Sequence, residues 1–396
     1  MDILLVHCFY QQVGGEDLCV RAESALLKSR GHNVVEYFLD NAAIADANRL
    51  AVAAGAIWNR AAYRRVREIC RSYRPQIVHF HNTMPLVSPS AYYAAKAENA
   101  AVVQTLHNYR LACPNGLFFQ DKRVCESCLG RRFPWPGVLR RCYRGSLTAS
   151  ATIALMTSLH RLMGTWENAV DTYIALSEFQ KNKLIRAGLP GSKIVIKPNF
   201  SERDAIGRGD GRFALYAGRL SPEKGVSTLL DAWKLLDQDI QLTIAGEGPE
   251  SDLVERAAAQ DGRINFLGHV SGEQICDLAG RATTLIAPSL CYENFPRVIV
   301  EAFSRGTPVI CSRFGAMPEI VADGEDGLLF TPSDAADLAE KVKRLFGDPG
   351  LRKRMRKAAL HKFVASYAPQ SNYLQLMAAY GRALNLPRQR EQAMAL

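Results

Sequence analysis

Two carboxylates stand eight positions apart in Glu293-Asn-Phe-Pro-Arg-Val-Ile-Val-Glu301, the first in a loop and the second in a helix. The helix is predicted to begin near Pro296, because proline fits a first helical turn. Free N–H groups at that helix start, beside Glu293, suit a phosphate or a sugar hydroxyl. Glu301 is placed to accept hydrogen bonds from a diol such as a ribose. An ordinary amphipathic helix with one buried and one exposed Glu would read the same way. Upstream, Tyr-Ala-Gly-Arg-Leu-Ser-Pro-Glu-Lys-Gly (216–225) follows a short apolar run and offers two cations, Arg219 and Lys224. Paired cations at a strand's carboxyl end suit a diphosphate, and stabilising one as it departs is electrostatic catalysis.

The front of the chain carries a second set. Val13-Gly14-Gly15-Glu16 lies between the first apolar run and a helical pattern, where glycines allow close backbone approach to a ligand. A tight turn is the plain alternative. His107, in Leu106-His-Asn-Tyr-Arg110, follows directly on another apolar run. His79 and His81 alternate along a third, His81 nearer its end; any of these could be a satisfied core histidine. Cys113, Cys125, Cys128 and Cys142 have the spacing C-x11-C-x2-C-x13-C. That set resembles a structural tetrahedral zinc site without meeting a strict zinc-ribbon spacing. Four free thiols or an iron–sulfur cluster fit the same residues. Six further cysteines (Cys8, Cys19, Cys70, Cys276, Cys291, Cys311) are scattered and read mostly as small core residues.

The elements that must hold these groups follow from periodicity. Ile3–Phe9, Asn33–Phe38, Ile77–His81, Ala101–Leu106, Thr172–Leu176 and Lys193–Lys197 are short apolar strands separated by helical stretches. Strands of this kind are buried on both faces of a parallel sheet. Pro198-Asn199 and the Gly-rich SERDAIGRGDGR segment form the best linker, after which the pattern restarts. Phe213–Ala217, Ile240–Ala245, Thr284–Ala287 and Pro308–Cys311 are its strands, with a helix over Val226–Leu236. Everything from Leu338 onward reads as helical. The expected architecture is α/β, two Rossmann-like doubly wound domains facing a cleft at the carboxyl ends of their strands. The expected bounds are 1–198, 199–369, and a C-terminal helix over 370–396 that packs back on the first domain.

Together with Ala-Gly-Glu-Gly-Pro (245–249), Phe-Leu-Gly-His-Val (266–270), Gly-Thr-Pro-Val-Ile (306–310), Gly315–Glu319 and Asp323–Gly327, these motifs resemble those of retaining, nucleotide-sugar-dependent glycosyltransferases of family 4 (glycosyl transferases group 1), which have the GT-B fold. The resemblance runs over essentially the whole chain. It implies that Arg219 and Lys224 bind a donor diphosphate and that Glu301 holds the ribose. Gly268, His269 and Val270 would lie along the base, with Gly246 in the same donor pocket. Glu293 and the backbone after it, at Asn294 and Phe295, would bind hydroxyls of the transferred sugar. Gly14 and Gly15 would sit beside donor phosphates and acceptor, and His107 would reach the transferred sugar. One departure concerns Glu-Asn-Phe-Pro, where relatives commonly have Glu-Gly-Phe-Gly: Pro296 has no N–H to give, and Asn294 could supply an amide instead. The resemblance implies retaining transfer with no divalent metal required, the departing phosphate taking the acceptor's proton. No Asp-X-Asp of metal-binding type stands in the expected place. The cysteine segment, about 111–145, is an addition that the family fold does not require.

Of 396 residues, 49 are Lys or Arg and 39 Asp or Glu. The charge is lopsided: residues 1–200 hold 25 basic and 14 acidic residues, residues 201–396 hold 24 and 25. Hydrophobic and charged shares of 48% and 22% exclude disorder and a disulfide miniprotein. The cysteine segment is the densest in cations, with Phe133 and Trp135 among them, and an apolar stripe (Ile153, Met156, Leu159, Leu162, Met163, Trp166) follows it. Such a combination suits an anionic bilayer surface or a lipid-diphosphate-linked acceptor, unless the stripe is core. No finger, ribbon or RNP-type motif is present, so nucleic acid is not the expected partner. The N-terminus lacks a basic n-region and a long apolar run, which predicts a cytoplasmic protein, peripheral at the inner membrane face. The function expected is sugar transfer from a UDP- or GDP-linked donor to a glycan or lipid-linked glycan, in surface polysaccharide or glycolipid synthesis. A nucleotide-sugar epimerase or hydrolase of the same fold, and a non-catalytic nucleic-acid binder built on the cysteine module, are the alternatives.

Overall fold

The computed structural model describes residues 1–11, 14–44, 47–202, 205–236 and 240–394, with side chains to residue 385. Val13 and, in the linker, Arg203 and Asp204 lie outside the described residues. The chain divides into two compact units. The first comprises Met1–Phe118, Cys125–Pro198 and Tyr373–Leu396; the second comprises Phe119–Val124 and Asn199–Asn372.

In the first unit β1 (Asp2–Phe9), β2 (Asn33–Asp40), β3 (Ile77–Phe80) and β4 (Ala101–Thr105) precede the cysteine segment. That segment contains a small antiparallel pair, β5 (Phe119–Gln120) and β6 (Arg123–Val124), which groups with the second unit. β7 (Thr172–Ala175) and β8 (Ile194–Ile196) complete the sheet, in the order β2-β1-β3-β4-β7-β8. All its pairings are parallel. Ile3 to Cys8 are all buried, which is why β1 reads as an unbroken apolar run. The other face of the sheet is covered partly by the final helix, Pro369–Met394. Its Leu376, Ala379, Tyr380 and Ala383 pack with Ile3, Leu5, Val103 and Ile174.

The second unit repeats the architecture with β9 (Phe213–Ala217), β10 (Gln241–Ala245), β11 (Ile264–Gly268), β12 (Thr284–Ala287), β13 (Val309–Ser312) and β14 (Gly327–Phe330). The order is β11-β10-β9-β12-β13-β14, again all parallel. The core gathers Trp233, Leu229, Ile244, Ile286, Ile310 and Phe330. The sequence reading left out β11 and β14. β11 sits at the sheet edge and alternates between buried and exposed positions, so it shows no continuous apolar run. The glycine-rich linker is also more ordered than its composition implies: Gly207, Gly209 and Gly211 donate backbone hydrogen bonds to Arg305, Gly280 and Arg281. A Cβ on Gly207 would stand 2.3 Å from the Gly280 carbonyl oxygen. These glycines serve a close backbone approach rather than slack chain.

Candidate active site

In open parallel sheets ligands gather outside the strand carboxyl ends, where the strand order reverses. In the second unit that point lies between β9 and β12, and the loops leaving those two strands carry the predicted cations and carboxylate. After β9 the chain runs through Gly218 and exposed Arg219 into a short turn, Pro222–Lys224. Gly225 then takes φ 72° and starts the helix Val226–Lys234. A Cβ there would lie 2.0 Å from the Pro288 carbonyl oxygen, so glycine lets the β9 loop press on the β12 loop. The contact aligns two side chains from distant sequence: Lys224 Nζ stands 2.6 Å from Glu293 Oε1. Ser289 Oγ donates to the same oxygen at 2.7 Å. Their electrostatics follow from that meeting. Burial works against both charges, but the Lys224 ammonium and the Ser289 hydroxyl bring the Glu293 carboxyl below its usual range. Glu293 in turn holds the Lys224 ammonium above its usual range against desolvation. The site thus keeps a permanent cation and anion at neutral pH, 31% and 12% exposed respectively.

The neighbouring residues divide by role. Pro296 caps the helix Arg297–Ser304, close to the expected start. Glu301, one turn into the helix, lies 3.2 Å from Arg297 Nη2, so its carboxylate is oriented by its own helix. Gly246, at φ 144°, is required by packing: a Cβ would come 1.9 Å from the Gly218 carbonyl oxygen. Its N–H donates to Gly268 at 2.7 Å, joining the loops after β10 and β11. His269 is exposed and Val270 and Asn294 half-buried. The Phe295 ring is a packing group. It is buried and meets the Tyr367 ring edge-on at 5.5 Å, so only its backbone remains for a ligand. Ser289, missed in the sequence, directly follows Pro288 at the end of β12; a hydroxyl after a buried strand was the available signal.

In the first unit the order reverses between β1 and β3. A cavity there is lined by Glu16, His81, Asn82, His107, Asn108 and Arg110. Gly14 and Gly15 open the helix Gly15–Ser29, where the Gly14 N–H donates to Asp17 Oδ2 and buried His7 Nε2 lies 2.8 Å from Asp17 Oδ1. Tyr10 OH donates to Glu16 Oε2 at 2.9 Å, and burial pushes the Glu16 carboxyl up. Sequence reasoning did not assign Asn82, Asn108, Arg110 or Tyr10 to the site, although each is a polar residue within five positions of a strand end.

Beneath the cavity lies a buried charge network. Lys197 Nζ is 2.8 Å from Glu23 Oε2, both side chains 1% exposed. The other oxygen, Oε1, lies 3.1 Å from His79 Nδ1 and 3.4 Å from His81 Nε2. Lys197 and the two imidazoles hold the Glu23 carboxyl well below its usual range against a large burial effect. His81 Nδ1 and His107 Nε2 are hydrogen-bonded at 2.9 Å. The contacts Glu23–His81 and His81–His107 thus link the buried charge network to the cavity. Burial lowers His81 to about 3 and His107 well below its ordinary value, so both are neutral. His79 does not point to the cavity with His81. Its Nε2 meets Thr105 Oγ1 and its Nδ1 meets Tyr380 OH, which ties the sheet to the final helix.

Among the described residues, the group whose donor atoms stand close enough to share an ion is Glu23, His79 and His81, and Lys197 already supplies its positive charge. The sulfurs of Cys113, Cys125 and Cys128 have hydrogen-bond partners of their own. Cys113 Sγ bonds to Asn115 Oδ1, Cys125 Sγ to Ser127 Oγ and Arg140 Nη1, and Cys128 Sγ to the Pro134 carbonyl. Ser127 and Arg140 draw the Cys125 thiol down despite burial. Burial, with the nearby Cys113, Cys142 and Cys125, pushes Cys128 up to about 12.

Comparison with known proteins agrees with this architecture. Residues 13–203 match the family Glycosyltransferase Family 4, and residues 199–362 match Glycosyl transferases group 1. The chain belongs to glycosyltransferase family 4. As a family 4 chain it is 28% identical over 309 residues to a glycogen synthase of Mycobacterium tuberculosis, covering 75% of this chain and 66% of that protein. It is 31% identical over 230 residues to the phosphatidyl-myo-inositol mannosyltransferase of Mycobacterium leprae, covering 55% of this chain and 60% of that one. The chain thus spans about half to two thirds of the length of the curated relatives it matches. In structure it resembles the Anabaena protein HepE, solved with UDP and glucose, at a TM-score of 0.68 and 17% identity over 96% of this chain and 100% of that one. Its fold is GT-B.

Proposed function

We propose that this family 4 chain transfers a sugar from a nucleoside diphosphate sugar to a glycan or lipid-linked glycan. The observation that carries the reading is the Lys224–Glu293 pair at the β9/β12 strand ends, with Arg219 on the same loop. Lys224 and Arg219 would hold the diphosphate oxygens, and Glu293 and Asn294 the hydroxyls of the sugar. The Arg297-held Glu301 would take the ribose hydroxyls, with Gly268–Val270 along the base. The acceptor would enter at the polar cavity of the first unit, where His107, Asn108 and Arg110 stand together.

In the proposed step the bond between the anomeric carbon and the diphosphate oxygen breaks while the acceptor oxygen bonds to that carbon on the same face. The acceptor's proton passes to the departing phosphate oxygen, so no protein nucleophile is needed and configuration is retained. Lys224 and Arg219 stabilise the charge that develops on the leaving group, and no divalent metal is required in this scheme. Two likenesses support the donor class: HepE was solved with UDP and glucose, and the Mycobacterium leprae relative is named a mannosyltransferase. A lipid-linked acceptor would place the work at a membrane face. No helix among the described residues is long and apolar enough to cross a membrane. A structural zinc on Cys113, Cys125, Cys128 and Cys142 is a separate proposal. It would require the four sulfurs to draw together, and a zinc content near one per chain is the measurement that supports it.

The test is a thermal-shift panel of UDP, GDP, ADP and their sugars, since a ligand bound to the folded state raises apparent stability by mass action. A shift with one nucleotide family, abolished by Lys224→Ala, supports the donor site. No shift with any of them overturns it.

A further inference from the structure

Helix Leu147–Leu162 is anchored by one face: Ser150, Ile153, Ala154, Met156, Thr157 and His160 are buried. A surface helix anchored this way ordinarily shows charged and polar residues on its opposite face. This one does not. At 3.6 residues per turn, Leu147, Leu155, Leu159 and Leu162 fall within roughly a third of the circumference, opposite the buried set. Their exposures are 46%, 49%, 36% and 85%. The stripe read from sequence was thus two surfaces: Ile153, Met156 and Trp166 are core, while Leu159, Leu162 and Met163 look outward.

The preceding segment extends this outward face. Phe133, Trp135 and Leu139 are 43%, 48% and 67% exposed. Ser158 Oγ donates to the Arg132 carbonyl at 2.8 Å and Arg161 Nη1 to the Arg131 carbonyl at 2.7 Å, which fixes the segment to the helix. Arg131, Arg132, Arg140, Arg141 and Arg144 are all exposed, and the Arg131 guanidinium sits 5.3 Å over the Trp135 ring. From Ser127 to Trp166 the chain has no Asp or Glu.

We propose that this face of the first unit docks on an anionic lipid bilayer. The leucines and Trp135 would enter the headgroup boundary, and the arginines would meet lipid phosphates. Charge selects this occupant: a second copy would bring the same acid-free arginine cluster against itself, whereas an anionic lipid plane neutralises all of it. The proposal rests on the sugar-transfer reading only for its purpose, which is to bring the acceptor cavity to a membrane-borne acceptor; the binding stands apart from that.

The experiment is co-sedimentation of the full chain with vesicles of phosphatidylcholine containing about a third phosphatidylglycerol, against phosphatidylcholine alone. Expected is binding to the anionic vesicles that weakens with salt, and little to the neutral ones. Leu155→Asp with Leu162→Asp, or Arg132→Glu with Arg141→Glu and Arg144→Glu, should each weaken it at least about tenfold. These side chains are exposed, so circular dichroism and Tm should be unchanged. Absence of anionic-vesicle binding, or equal binding by the variants, overturns the proposal. So does a dimer in solution that Leu162→Asp dissociates without any vesicle binding, which would give the face to a second copy. A nucleotide thermal shift on the same protein separates the two readings: vesicle binding lost with the shift intact strikes only the docking face, and the converse strikes only the donor site.

Discussion

The two units solve the same problem, a charged pair near a strand-order reversal, in opposite ways. In the second unit Lys224 and Glu293 meet where the loops leave β9 and β12, and Lys224 remains 31% exposed. In the first, Lys197 and Glu23 are sealed at 1% exposure, and two histidines share the carboxylate. An open pair can exchange its partner for a ligand at little desolvation cost. A sealed pair cannot, because removing one partner strands the other in a medium of low polarity. The difference separates a pair open to solvent from a sealed scaffold beneath His107, whose imidazole burial keeps neutral.

Four experiments would break or sharpen that contrast. The largest effect is expected at the sealed pair: Glu23→Ala should cost about 3–5 kcal/mol of stability by stranding Lys197. Pairing it with Lys197→Met should restore much of that loss in denaturant unfolding. A single variant as stable as the native chain would show that the pair is not a scaffold. At the open pair the expectation reverses. Lys224→Ala and Glu293→Gln should fold normally yet lower kcat for sugar transfer by about a hundredfold or more. Native turnover in either variant removes the donor-site assignment.

A smaller effect belongs to Glu301. Glu301→Gln should weaken nucleotide binding by roughly tenfold, consistent with a charged hydrogen bond, while leaving binding of a 2′,3′-dideoxynucleotide nearly unchanged. Equal losses for both would detach Glu301 from the ribose. The smallest is a pH effect on stability. His81 is held neutral down to about pH 3 in the folded state, whereas the unfolded chain protonates near its ordinary value of about 6.5. Between those values the unfolded state binds more protons, so stability falls as pH falls. The slope approaches about 1.4 kcal/mol per pH unit for this group. His107 shifts the same way, and Glu23 reinforces the trend once pH drops below the usual carboxylate range. Guanidinium unfolding at pH 7 and 5.5 measures it; a flat profile would mean the histidines are not held neutral.

Much of this was legible in residue order. β1, β9 and β12 read as strands because parallel strands covered on both faces must be apolar throughout, and Glu293, Glu301, Arg219 and Lys224 stood in motif at strand ends. The edge strand β11 was not legible, since one exposed face breaks its apolar run. Glu23 and Lys197 gave no signal either: 174 positions apart in the sequence, each looks like an ordinary surface charge until the fold seals both in the same core. Nor did the motif show that the Phe295 ring packs edge-on against Tyr367, 72 positions later.

What the sequence determined by itself is the alternation of apolar strands and amphipathic helices, the glycines where loops must touch, and the kinds of group available for chemistry. These are local properties of a few consecutive residues. Tertiary structure alone decided which charges meet and which are sealed, and which side of helix Leu147–Leu162 is core. Those depend on distances between segments far apart in the chain, and burial and partner charge at those distances set protonation and exposure.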